Sequence, residues 1–199
     1  MTGEEGLRER KKRETRLALS QAALRLCVQR GWDNVTVDEI AAEADVSVRT
    51  FRNYFSSKAE AVAASHAERT LRIADEIRAR PAEEPFWDAV VAAVLAQFDG
   101  GPPGPGHDRW IEGVKGVLAQ PAVHGEVLKA SVAAEDALAD AVACRTGTEG
   151  LYPHLVAGVI GSAIAAGLRE WVLITDLRGS VIPYLREAFE RIRAGLPVT

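Results

Sequence analysis

The sequence predicts an all-α protein, and three observations predict it. Ala, Leu, Glu and Arg dominate the 199 residues while runs of β-branched residues are few, which favours helix over strand. Apolar residues recur at spacings of three and four through most of the chain. Breakers such as Gly31, Pro81 and Pro85 stand at the ends of these segments. We expect about nine helices, arranged as an N-terminal unit of three followed by a larger helical bundle.

The first two helices have clear start and stop signals. An apolar face runs from Arg8 to Arg30, and Gly31 occupies the usual position just past a helix end. The stretch Thr36–Glu39 matches a capping box, which predicts a second helix running to Ala44. Asp45 then follows at a sharp turn, and Asp is one of the few residues other than glycine that tolerates a left-handed backbone.

A third short helix, at about residues 47–53, follows the turn. Ser47 is its predicted cap, and the spacing of Val48, Phe51 and Phe55 faces them inward. A second capping box, Ser57–Glu60, opens a long helix to about residue 80. Later helices are predicted in PFWDAVVAAVLAQFDG and at about 108–119, 121–145, 151–175 and 179–194, with a loop of Gly and Pro at 100–108.

Charge is distributed unevenly along the chain. The formal net charge is −4, yet residues 1–60 hold 11 basic against 10 acidic residues, and residues 61–199 hold 13 against 18. The run 8–16 alone contains six basic residues and two acidic ones. This run is either an arm that contacts phosphates or the solvated start of a helix.

The chain reads as a cytoplasmic protein. Cys27 and Cys144 lie far apart inside helical patterns, so we expect both to be small buried hydrophobes in a reducing compartment. The N-terminus has no apolar leader segment. The uncharged stretch 155–168 has 14 residues, fewer than the roughly 20 that a membrane span requires. No membrane association is therefore expected.

Two short helices joined by a tight turn and packed on a longer helix make a helix-turn-helix unit, which binds DNA. Its second helix enters the major groove, where Arg pairs with guanine edges and Asn with adenine edges. Thr36 and Ser47 stand at helix N-termini, which favour phosphate, and Lys58 is predicted to contact the DNA backbone. The predicted DNA-contact residues, which include Val48 despite its inward spacing, are Thr36, Ser47, Val48, Arg49, Thr50, Arg52, Asn53, Tyr54 and Lys58.

The stretch TVDEIAAEADVSVRTFRNYFSSKAEAV closely resembles the N-terminal signature of the TetR family of bacterial transcriptional regulators. The matching positions are Thr36, Ile40, Ala41, Ala44, Val46, Ser47, Thr50, Tyr54, Phe55 and Lys58. Two positions depart from that signature. Asp45 stands where the family usually has Gly, and Arg52 stands where an aromatic residue is common, which suggests a different operator.

The resemblance implies a homodimer that presents two recognition helices to a palindromic operator, with repression relieved by a small, largely apolar ligand. It divides the chain into a DNA-binding domain at residues 1–60 and a ligand-binding and dimerisation domain at 61–199. Dimerisation is expected through the helices at about 151–175 and 179–194; small residues at Gly158, Ser162 and Ala166 would allow close approach, or else belong to a plain core helix.

No motif identifies the ligand site. Trp87, Phe98, Trp110 and Trp171 are the large aromatic residues that could line an apolar pocket, or could simply pack in the core. No metal-ligand spacing, catalytic triad or paired carboxylate is visible, so neither a cofactor, a metal nor an enzyme activity is expected. The alternatives are an activator, a regulator controlled by a protein partner, and a helical enzyme or binding module that uses the hairpin as scaffold.

Overall fold

A computed structural model describes residues 3–98, 107–173 and 180–197. These ranges contain α-helices and one short 3-10 turn, Trp32–Asn34, and no strand, which confirms the predicted fold class. The predicted loop at 100–108 lies outside the described residues except for its last two positions. The helices are α1 Gly3–Arg30, α2 Val37–Glu43, α3 Val48–Tyr54, α4 Lys58–Ala79, α5 Phe86–Ala96, α6 His107–Leu118, α7 Pro121–Thr146, α8 Leu151–Leu173 and α9 Ile182–Arg193.

The chain divides into two compact units. The first unit comprises Met1–Glu68 with Glu112–Ala130, and the second comprises Arg69–Ile111 with Ser131–Thr199. The division differs from the predicted boundary at residue 60, because the first unit also contains a segment that is distant in sequence. Such a segment carries no local signal, since its membership depends on contacts made between distant residues.

The core of the first unit is formed by the inward faces of its helices. Leu19 and Cys27 of α1, Ile40 of α2, and Phe51 and Phe55 are almost completely buried. The two phenylalanine rings lie 5.7 Å apart in a tilted pair. Full burial of side chains this large contributes about 1.5–3 kcal/mol each, so the short helices α2 and α3 depend on this packing.

Gly113 of α6 lies directly against α1 inside the first unit. A Cβ atom built there would stand 2.2 Å from the carbonyl oxygen of Val28. Only glycine permits so close an approach of two helix backbones. Nothing in the local sequence distinguishes this glycine from Gly116, beside which no atom lies within 4 Å.

The second unit is built around α8 and α9. Gly167 of α8 faces Leu185 of α9 so closely that a Cβ would stand 2.9 Å from the leucine Cδ2. Leu185 and Phe189 are completely buried, and Trp87 of α5 packs on the Phe189 ring at 6.5 Å between centroids. A contiguous apolar core therefore joins three of its helices.

The helix α8 extends beyond the uncharged stretch 155–168 at both ends. The helix has 23 residues, which makes it long and apolar enough to cross a membrane by length and composition. One such helix is weak support for a membrane span, because the core helices of globular proteins pass the same test. Packing is the better criterion: a face that includes Val156, Ile160 and Ile164 is buried in the second unit.

Two local predictions also need correction. The Ser57 hydroxyl accepts the Glu60 N–H at 3.1 Å, but the Glu60 carboxylate accepts from the N–H and hydroxyl of Ser56, each at 2.7 Å. The reciprocal half of the second capping box is therefore displaced by one residue. Cys144 is exposed, because its position on α7 turns it outward, whereas Cys27 is buried as predicted. Burial raises the pKa of the Cys27 thiol.

Candidate nucleic-acid interface

The turn between α2 and α3 has the geometry that the sequence predicts. Asp45 adopts a φ of 52°, in the left-handed region. The Val46 N–H donates to the Ala41 carbonyl at 2.9 Å, which closes the end of α2. Ser47 then caps α3 by accepting the Thr50 N–H at 3.0 Å, and the two hydroxyl oxygens lie 2.8 Å apart. The start of α3 is thus held by its own side chains.

The outward face of α3 carries three side chains without an internal partner. Arg49, Arg52 and Asn53 are exposed, and within the part of the chain that the structure describes none of them forms a hydrogen bond or ion pair. Val48, Thr50 and Tyr54 are half-buried at the edges of this face, and Ser47 is exposed at its start.

Several other arginines of the first unit are paired. They bond to carboxylates, in the pairs Arg13–Glu68, Arg25–Glu43 and Arg30–Glu39. The arginines of α3 therefore differ from these in having all their guanidinium donors available. Such donors suit the acceptors on base edges and phosphates.

Arg16 of α1 holds the other end of α3, a role that the sequence analysis did not assign. Its Nη1 donates to the Tyr54 carbonyl at 3.2 Å, and its guanidinium lies 4.5 Å above the Phe55 ring. The last carbonyls of a helix lack internal donors and carry partial negative charge, so a cation there is favourable. Arg16 belongs to the basic run 8–16, but the run alone does not indicate which member would turn inward.

Lys58 is placed differently from its predicted role as a phosphate contact. Its Nζ donates to the carbonyls of Trp32 and Val35, the latter at 2.7 Å, and lies 4.2 Å from the Trp32 ring centroid. The ammonium is therefore engaged with the backbone that leads into α2. These bonds use two of the three ammonium donors, and the predicted phosphate contact through Lys58 stays a prediction.

Thr36 likewise has no free donor for a phosphate. Its N–H and hydroxyl both donate to one Glu39 carboxylate oxygen, at 2.8 and 2.9 Å, which completes the predicted capping box. These hydrogen bonds, the backbone one first, and Arg30 lower the pKa of Glu39. A carboxylate already occupies this helix N-terminus, which gives Thr36 a structural role, and its predicted phosphate contact stays a prediction.

The four predicted pocket residues all belong to the second unit. Trp171 is buried, whereas Trp87, Phe98 and Trp110 are half-buried. Trp87 packs on Phe86 and Phe189, and no ring pair joins Trp87, Phe98 and Trp110 to one another in the described residues. No group of three or more His, Cys, Asp or Glu side chains that could hold a metal occurs within these ranges.

Comparison with known proteins identifies both halves of the chain. Residues 19–64 match the family described as bacterial regulatory proteins, tetR family, and residues 84–197 match the MftR C-terminal domain of TetR proteins. The HTH-type transcriptional regulator TcmR of Streptomyces glaucescens is 31% identical over 183 residues, which cover 86% of this chain and 79% of that protein.

Solved structures share the fold at low identity. A putative TetR-family regulator from Syntrophomonas wolfei superposes with a TM-score of 0.60 at 16% identity, over 94% of this chain and 99% of that one. The regulator FadR of Bacillus subtilis, solved with stearoyl-CoA, gives a TM-score of 0.54 at 16% identity, over 90% and 98% of the two chains. With a helix-turn-helix unit, two matching family domains and a regulator as relative, the chain belongs to the TetR family of bacterial transcriptional regulators, which bind DNA.

Proposed function

We propose that this protein is a dimeric repressor whose α3 reads an operator half-site and which a small, partly apolar ligand releases from DNA. The observation that carries the DNA-reading part is the unpaired set Arg49, Arg52 and Asn53 on the exposed face of α3. Several other arginines of the first unit pair with carboxylates, as Arg13, Arg25 and Arg30 do. In the described residues, Arg49, Arg52 and Asn53 have no such partner.

The chemistry of these groups suits direct readout in the major groove. A guanidinium donates two parallel hydrogen bonds to a guanine edge, and an amide both donates to and accepts from an adenine edge. Ser47 and Tyr54 flank them at the two ends of the helix, where hydroxyls can contact phosphates. Arg16, at the far end of α3, keeps the helix in place while these contacts form.

The dimer is supported by the open face of α8. Leu151, Leu155 and Leu173 are 79%, 59% and 62% exposed. Small exposed residues, Gly161 and Ala165, lie between them, while the exposed positions of α9 are mostly charged. Large apolar side chains repeated along one helix face mark a surface that another protein covers. A second copy of α8, bordered by the charged positions of α9, would cover it.

The ligand part draws on relatives of the same fold. FadR of Bacillus subtilis was solved with stearoyl-CoA, and EbrR was solved with malachite green at a TM-score of 0.50 to this chain. Both ligands combine an apolar body with charge. We assign the corresponding sensor role to the second unit of this chain, on analogy of fold.

A gel-shift titration against DNA flanking the gene tests the reading helix. Arg49→Ala or Asn53→Ala should weaken specific binding about 5- to 150-fold, the equivalent of roughly 1–3 kcal/mol for one base contact. Binding to unrelated DNA should change little. Lys129→Ala is the matched control, because Lys129 is an exposed cation of the same unit that pairs with Glu126.

If Arg49→Ala and Asn53→Ala bind the operator as tightly as the control does, α3 is not the reading helix. Adding a cell extract of small molecules to the wild-type complex tests release: a ligand-controlled repressor dissociates, whereas a regulator controlled by a protein partner does not.

A further inference from the structure

Arg69 on α4 is an uncompensated cation in the second unit. Its guanidinium carbon lies 4.6 Å above the centre of the Phe98 ring. The side chain is half-buried, and in the ranges that the structure describes it forms no hydrogen bond or ion pair. Long cations are rarely buried unless they are paired, so an exception needs an explanation.

The carboxylates along α4 are used elsewhere. They pair with other arginines, as Arg13–Glu68, Arg78–Asp75 and Arg80–Glu76. The charged group that acts on Arg69 is instead another cation, Arg72. The Arg72 Nε donates to the neutral Gln97 amide oxygen at 2.9 Å. Burial, and secondly the like charge of Arg72, lower the pKa of Arg69 to about 10. Among the residues that the structure describes, no carboxylate pairs with this positive charge.

The contact with Phe98 uses none of the hydrogen-bond donors of Arg69. A guanidinium near a ring is attracted to it by charge, so its N–H groups can still donate to an acceptor. Two parallel donors match the two oxygens of a carboxylate, and the ring offers an apolar surface beside them. A neutral ligand would bind more weakly, because its acceptors recover less of the solvation energy that the cation loses than a carboxylate does.

We propose that the effector of this regulator carries a carboxylate on an apolar body, and that Arg69 binds the carboxylate while Phe98 contacts the apolar part. Arg72, which is exposed, adds a second positive charge near Arg69. The inference rests on the proposed ligand-released function and names the chemical class of that ligand.

Isothermal titration with two matched probes tests the assignment. The probes are 2-naphthoate and 2-naphthamide, which share size and aromatic body and differ in charge. Wild type should bind 2-naphthoate about tenfold or more tightly than 2-naphthamide, as expected for a charge-assisted hydrogen-bonded pair. Arg69→Gln should remove this preference and leave the amide affinity unchanged, and Arg69→Lys should retain part of it.

The control is Arg109→Gln, which removes an exposed arginine of the second unit and should leave the preference intact. Equal affinity of wild type for the two probes, no binding of either, or a preference that survives in Arg69→Gln would overturn the proposal. A larger loss of DNA affinity in Arg69→Gln than in Arg109→Gln would also overturn the proposal, because it would indicate that Arg69 contacts a DNA phosphate.

Thermal unfolding separates a ligand site from a structural cation. Without ligand, Arg69→Gln should melt close to wild type, because the lost contact with the Phe98 ring opposes the removal of a partly desolvated charge. A clear fall in melting temperature would assign Arg69 to the core and overturn the proposal. DNA binding is measured separately: loss of probe preference with intact operator binding refutes only this inference, whereas absent operator binding refutes the proposed function.

Discussion

Single residues in the first unit decide whether the reading helix is presented at all. Asp45 takes the left-handed turn at a φ of 52°, a conformation that costs an ordinary side chain roughly 1–2 kcal/mol and Asp less. Arg16 and Lys58 act on either side of the motif by binding backbone carbonyls. The cations near the motif are thus of two kinds. Arg16 and Lys58 bond to the backbone, whereas Arg49 and Arg52 are exposed on α3.

Lys58→Ala should lower the stability of the protein and leave the salt dependence of DNA binding unchanged. Two hydrogen bonds from a charged donor and a contact with the Trp32 ring are lost, for which we expect a loss of roughly 2–4 kcal/mol in the free energy of unfolding. Urea denaturation measures the first effect and binding at several salt concentrations the second. A salt exponent smaller by about one would instead identify Lys58 as a phosphate contact.

Among the elements, α2 depends most on its own N-terminus. Its seven residues are too few for a stable isolated helix, so the capping box between Thr36 and Glu39 and the ion pair Arg30–Glu39 contribute to keeping it formed. The pKa of Glu39 is lowered in the folded state. Its carboxylate therefore stabilises the fold when ionised, above the ordinary carboxyl pKa.

Glu39→Gln should destabilise the protein near neutral pH and matter less in acid. The contribution of Glu39 is fully present above its unfolded pKa and is lost as the pH falls through the lowered folded pKa. The melting temperatures of wild type and variant should converge as the pH drops from 7 toward 3. Curves that stay parallel over that range would show that ionisation of Glu39 does not stabilise the helix.

A second element, α6, is positioned by the absence of one side chain. Gly113→Ala should destabilise the first unit by about 1–3 kcal/mol, because the added methyl collides with the Val28 carbonyl. Gly116→Ala, three residues along the same helix, should be neutral or stabilising by up to about 1 kcal/mol, since nothing lies within 4 Å and Ala favours helix. Equal effects of the two variants in thermal unfolding would rule out the close approach.

At the scale of the whole molecule, the distribution of charge matters more for DNA binding than the net charge does. The net charge of −4 does not oppose DNA binding, because residues 61–199 hold the acidic excess and residues 1–60 are nearly neutral with a basic start. Affinity for a polyanion depends on the local face that approaches it. Two copies of that face, at the spacing of two half-sites, would double the contacts and make the binding cooperative.

Leu155→Glu should convert the proposed dimer to monomer and weaken operator binding far more than a single phosphate contact would. A carboxylate on the apolar face of α8 would be buried without a partner if the dimer formed. Sedimentation equilibrium and gel shift on the same sample measure the two effects. Ala96→Glu places the same charge on an exposed position of α5 and should leave both unchanged. A dimeric Leu155→Glu protein would place the interface elsewhere.

The residues of the candidate site were only partly readable from the sequence. Spacing alone identified α3, its Ser47 cap and the exposed positions of Arg49, Arg52 and Asn53. It could not distinguish Lys58 from a contact residue, because the carbonyls that Lys58 meets lie 26 and 23 residues away. The capping-box partner of Thr36, in contrast, was predicted from spacing. Arg16, Gly113 and Arg69 were not assigned roles, since the groups they meet lie tens of residues away.

By itself, then, the sequence determined the all-α class, the helix bounds, the left-handed turn at Asp45 and the DNA-reading motif. These follow from periodicity, caps and turn residues, which act within a few positions of the chain. Only the tertiary structure decided which cations are satisfied and which are available. Pairing depends on distances between residues far apart in sequence. Lys58 bonds to two backbone carbonyls, while the arginines of α3 and Arg69 have no hydrogen-bond or ion-pair partner among the residues that the structure describes.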